Sequence, residues 1–112
     1  MGNLFYGNAI EPIDMPDRLL AHVKVVTATK LRRGESFTLS WRHPKGSAAG
    51  RTTIWMQPAI PLRFVFDDAD AGAIEPGILR RLAEGANSSA GLMIDLSEFD
   101  EESSLTLVSS AA

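Results

Sequence analysis

The sequence predicts an α+β fold: a single domain built on a mostly antiparallel sheet with two helices, in the order β-β-α-β-β-β-α-β. Three observations carry this. ESFTLSW and RTTIWMQ both alternate apolar and polar residues with the period of a strand, and the breaker-rich RHPKGSAAG lies between them. IDMPDRLLAHVKVVTATKLRRG and GILRRLAEGAN repeat their apolar residues at steps of three and four, the period of a helix. Connections long enough for parallel crossovers occur only at those helices, so a mostly antiparallel sheet with the helices on one face follows.

The elements follow in chain order. LFYGNAIEPI reads as two short strands around Gly7-Asn8, residues that tolerate positive φ. The first helix takes Asp14 as its cap, Pro16 and Asp17 in its first turn, and Gly34 just past its end. Leu19, Leu20, Val23, Val26 and Leu31 form its apolar stripe, and His22 is expected on its polar face or boundary. The β-branched residues Val25, Val26, Thr27 and Thr29 weaken helix propensity, leaving a strand open for part of this segment; helix is the favoured reading.

In the next strand Phe37, Leu39 and Trp41 share one face, which assigns Trp41 to the core. After the loop, Ile54 and Met56 oppose Thr53 and Trp55, so Trp55 is the exposed aromatic. PAIP breaks the pairing, and LRFVF resumes it through Leu62, Phe64 and Phe66. DDADAGAIEP leads to the second helix, whose apolar face is Ile78, Leu79, Leu82, Ala83 and Ala86. GLMIDLSE supplies a last strand, with Leu92, Ile94 and Leu96 opposite Met93 and Asp95. The domain is assigned to residues 1–98, and 99–112 to an acidic, Ser-rich tail or edge strand.

At 112 residues, with 45% hydrophobic and 22% charged residues, the chain is long enough for one core and has ordinary globular composition. The absence of cysteine removes disulfides, thiolate nucleophiles and cysteine-bound zinc. A basic leader with an apolar core is absent from the N-terminal segment, and no apolar run approaches a membrane span, so a cytoplasmic protein is expected. A net charge of -3 argues against a globally basic nucleic-acid binder but leaves room for a local patch.

No catalytic constellation is visible. His22 and His43 lack the spacing of a metal or catalytic pair. Asp67, Asp68 and Asp70 are dense enough to attract a hard cation, yet lack the glycine and downstream glutamate of a calcium loop; a solvated loop or helix cap is the simpler reading. Neither a nucleophile elbow nor a phosphate-binding glycine loop is present. The remaining candidate is a binding surface: Arg42, His43, Lys45 and Arg51 around the hairpin loop, Trp55 beside them, and Arg32 and Arg33 of KLRRG. Such residues can hold phosphates while an aromatic stacks on a base.

LLAHVKVVTATKLRRGESFTLSW, GRTTIWMQPAIPLRFVF and ANSSAGLMI together resemble a family of small actinobacterial proteins of unknown function, over Gly2 to about Leu96. KLRRGESF and the run I-W-x-x-P-x-I-P-L-x-F are the specific parts. Its members commonly bear the label "ATP-dependent DNA ligase", which implies an adenylated lysine in a K-x-D-G motif. Lys24, Lys30 and Lys45 have no such context, and a ligase core needs far more chain. The expectation is therefore a non-enzymatic binding or adaptor domain without cofactor or metal, meeting a protein partner or a second copy of itself as a homodimer. The alternative is a DNA-associated accessory module that grips phosphates through the basic loop.

Overall fold

The computed structural model describes residues 1–43, 49–70 and 73–96. Its elements are β1 (Gly2–Tyr6), β2 (Ile13–Met15), α1 (Asp17–Arg32), β3 (Phe37–Arg42), β4 (Arg51–Met56), β5 (Leu62–Val65), α2 (Pro76–Ala86) and β6 (Leu92–Ile94). Their order is the predicted one. The assigned tail, 99–112, lies outside the described residues, as does Lys45.

The strands form two three-stranded sheets where the sequence led us to expect one. The first has the order β2-β1-β5, all antiparallel; the second has β4-β3-β6, with β4 antiparallel and β6 parallel to β3. The division occurs at PAIP. Pro58 and Pro61 cannot donate to a ladder, and the turn there, closed by Ile60 N–H on the Gln57 carbonyl, sends β5 to β1 instead of β4.

One apolar core joins both sheets and both helices. Leu4 and Met15 from the first sheet, Leu39 and Met56 from the second, and Leu19, Leu20 and Val23 from α1 have no exposed surface. Trp41 is 8% exposed and belongs to this core, as alternation required. α1 comes close to β1 because Gly2 has no side chain; a Cβ there would stand 2.6 Å from Leu20 Cδ2. α1 stays helical through its β-branched run because Val26 and Thr27 are buried, and packing outweighs propensity. No helix among the described residues is long and apolar enough to cross a membrane.

The helix ends show one success and one correction. At the C-terminus, Gly34 takes φ of 74°, its N–H reaches the Leu31 carbonyl and the Glu35 N–H reaches Lys30, which completes a Schellman motif. At the N-terminus, Asp14 does not cap the helix. Pairing with β1 extends β2 to Met15 and holds Asp14 in the strand, where its carboxylate meets the Asn3 amide; Pro16 takes the cap position with no side-chain bond. Asp17, in the first turn, instead accepts the backbone N–H groups of Asp67 at 3.3 Å and Asp68 at 3.0 Å.

Candidate functional site

Hydrogen-bond phase along the β3–β4 hairpin decides what β4 offers. His43 N–H donates to the Gly50 carbonyl at 2.9 Å, and the register continues through Trp41↔Thr52, Leu39↔Ile54 and Phe37↔Met56. Bonded and non-bonded pairs alternate in an antiparallel ladder, so the backbone groups of Arg51, Thr53 and Trp55 point away from β3. An independent contact agrees: the Tyr6 hydroxyl, on β1, donates to the Trp55 carbonyl at 2.6 Å. On that side β4 has no strand partner among the described residues.

The same three residues also show their side chains to solvent. Ile54 and Met56 face the core, so Arg51, Thr53 and Trp55 lie on the other face, and all three are exposed. Trp55 is 53% exposed, the largest aromatic surface among the described residues. Next to them on β3 stand Thr38, opposite Trp55, and Ser40, opposite Thr53, whose hydroxyls meet at 2.7 Å. Met93 of β6 follows on the same face and is 46% exposed.

The predicted surface residues divide between the two ends of this face. Arg42 and Arg51 are direct cross-strand neighbours and both exposed, which brings two like charges together. His43 adjoins them, with Nε2 at 2.8 Å from the Thr52 hydroxyl. Arg32 and Arg33 are exposed near the start of β3, five residues from Arg42 along the strand, or about 17 Å. The six described residues of that set, all but Lys45, thus do not converge on one patch; Trp55 is nearer the KLRRG end than Arg42 and Arg51.

At that end a shallow open depression of 250 Å³ is lined by Lys30, Ser36, Thr38, Trp55, Asn87 and Ser89 among others. Lys30 spans it, donating from Nζ to Asn87 Oδ1 at 2.6 Å and pairing with Glu35 at 2.9 Å. The Glu35 carboxyl is held below its ordinary value, first by the hydrogen bond from Lys30 and then by that ammonium's charge. Sequence reasoning did not name Tyr6 or Asn87 and weighed Lys30 for chemistry only as a ligase nucleophile, since nothing local to them signals a contact with residues so distant in the chain.

The groups considered for chemistry are engaged in the fold. His22 was expected on the polar face or boundary of α1, yet it is fully buried, because the backbone of Glu75, just before α2, lies across it. Its Nδ1 donates to the Arg18 carbonyl at 2.7 Å, and Nε2 accepts the Glu75 N–H at 3.0 Å. Arg18 and Glu75 also form an ion pair beside it. Asp67 pairs with the Met1 amine, and Asp68 accepts the N–H of Asp70. Among the described residues no three His, Asp or Glu side chains are grouped to hold a metal ion.

A family model described as a domain of unknown function, DUF7882, matches residues 1–97. The chain belongs to the DUF7882 family. No curated protein and no solved structure matches this DUF7882 chain.

Proposed function

We propose that this DUF7882 domain is a non-enzymatic protein-binding module that accepts an extended strand along the edge of β4. The observation that carries the reading is the coincidence, at Arg51, Thr53 and Trp55, of outward backbone groups with exposed side chains. Strand addition uses both: the backbone supplies affinity and the alternate side chains supply selectivity. Native proteins usually guard an edge with proline, a bulge or an inward charge. RTTIWM has none of these and carries only Arg51 as a charged residue. The histidines support the reading, since His22 is spent on two backbone groups and His43 is tied to Thr52.

Amide hydrogen exchange tests it. In the isolated chain at low concentration the Arg51, Thr53 and Trp55 amides should exchange faster than those of Thr52 and Ile54, which face β3. A binding partner should protect the first three selectively. Protection confined to β2, β5 or the helices would overturn the proposal.

The exposed pair Arg42 and Arg51 favours a second reading, a DNA-associated module of the kind that the ligase label on similar proteins implies. Two phosphate contacts would give a salt slope of about -2 for duplex DNA on log scales. Fluorescence anisotropy with single- and double-stranded DNA at low salt separates the two: binding lost in Arg42→Ala and Arg51→Ala supports the DNA reading, and no binding at low salt removes it.

A further inference from the structure

We infer that the strand received by β4 is β4 of a second copy, joined antiparallel about a two-fold axis at Thr53. This rests on the strand-addition reading and names its partner. In that register Thr53 faces its own counterpart and Arg51 faces Trp55 of the other copy, twice. Each facing pair brings together residues whose N–H and C=O point away from β3, so three pairs exchange about six hydrogen bonds. The Trp55 carbonyl, which already accepts from Tyr6, has a second lone pair for the new ladder.

Charge separates this register from the one that pairs Arg51 with Arg51. Sliding the copies until Arg51 meets Arg51 would add a third and fourth guanidinium to a site where Arg42 and Arg51 already adjoin. In the proposed register the two Arg51 residues stand four strand positions apart, about 14 Å, beyond the screening length of about 8 Å at physiological salt. Each guanidinium instead lies opposite an exposed indole, an arrangement in which cation–π attraction adds to the ladder. The two second sheets then become one continuous six-stranded sheet, and both unguarded edges are covered. Because the copies are identical, the interface is isologous and closes at two. A single strand pair buries a small area, so the dimer belongs to the weak class.

Sedimentation equilibrium from micromolar to millimolar concentration reads this directly. The wild-type chain should pass from monomer to dimer and no further. Thr53→Pro removes an N–H that faces away from β3, so the hairpin ladder is spared while association weakens at least about tenfold. Arg51→Glu should weaken it as well, whereas Arg63→Glu, on the first sheet, should leave it unchanged; circular dichroism confirms that each variant is folded. A monomer at every concentration overturns the inference, as does a dimer indifferent to Thr53→Pro and Arg51→Glu. A monomer that dimerises only after removal of residues 97–112 also overturns it, by making the chain's own segment the occupant. In the first and last cases a foreign partner that protects the β4 amides would still uphold strand addition itself.

Discussion

His22 shows how much one side chain can do in a place the helical pattern assigned to the polar face or boundary. The wheel of α1 sets it beside the apolar stripe, but tertiary structure brings Glu75 over it and uses both ring nitrogens on backbone groups. Sequence periodicity cannot report such a contact, because Glu75 is 53 residues away. Trp41 and Trp55 are the opposite case: alternation alone separated the buried from the exposed indole, since a strand has only two faces. The role of His22 has a clear mutational signature. His22→Leu strands the Glu75 N–H and is expected to cost about 1–3 kcal/mol, while His22→Gln retains an acceptor near Nε2 and costs less. Chemical denaturation of both variants checks the ranking; equal losses would mean that packing around the ring, and not the hydrogen bond to Glu75, is what α1 needs.

At the scale of elements, the two helix C-termini are fastened by one lysine. Lys30 lies in the last turn of α1, where a cation opposes the helix dipole, and reaches both Glu35 beyond that helix and Asn87 at the end of α2. Gly34 made the end of α1 readable in advance, because the Schellman turn needs a residue at positive φ. Asn87 could not be foreseen as a partner from its own surroundings. The ion pair makes stability depend on acid in a defined direction. Glu35 has a folded-state pKa below its ordinary value of 4.5, so its contribution is fully present above 4.5 and is lost as pH falls through the depressed value. Melting curves of wild type and Glu35→Gln should therefore differ at neutral pH and converge in acid. Added salt should narrow the neutral-pH difference, because Glu35 is exposed and its pairing is screened.

For the whole molecule, the order of elements could be read from periodicity and breakers, while the partition into two sheets could not. A strand's own alternation says which residues face inward; it does not say which strand lies beside it. β5 has the pattern of a third strand for the hairpin, yet joins β1, and β6 reaches β3 in parallel only after the chain has passed through β4, β5 and α2. The candidate surface was similarly half visible: Trp55 and the basic residues could be named, but the free edge became apparent only when strand order and hydrogen-bond phase were known. The two sheets nevertheless share a single core, and this dictates how the chain must unfold. Leu4 belongs to the first sheet and Trp41 to the second, and both lie in the one buried cluster that includes α1 and α2. With Trp55→Phe removing the exposed indole, Trp41 fluorescence becomes a reporter of the second sheet alone. Leu4→Ala in that background should destabilise the protein by about 2–5 kcal/mol, the usual cost of emptying a fully buried leucine site. If the core is cooperative, the Trp41 transition should move by the full amount and coincide with the transition seen by far-ultraviolet circular dichroism. If Trp41 held its midpoint while the dichroism split into two steps, the sheets would be independent units, and β4 would present its edge from a scaffold that the first sheet does not support.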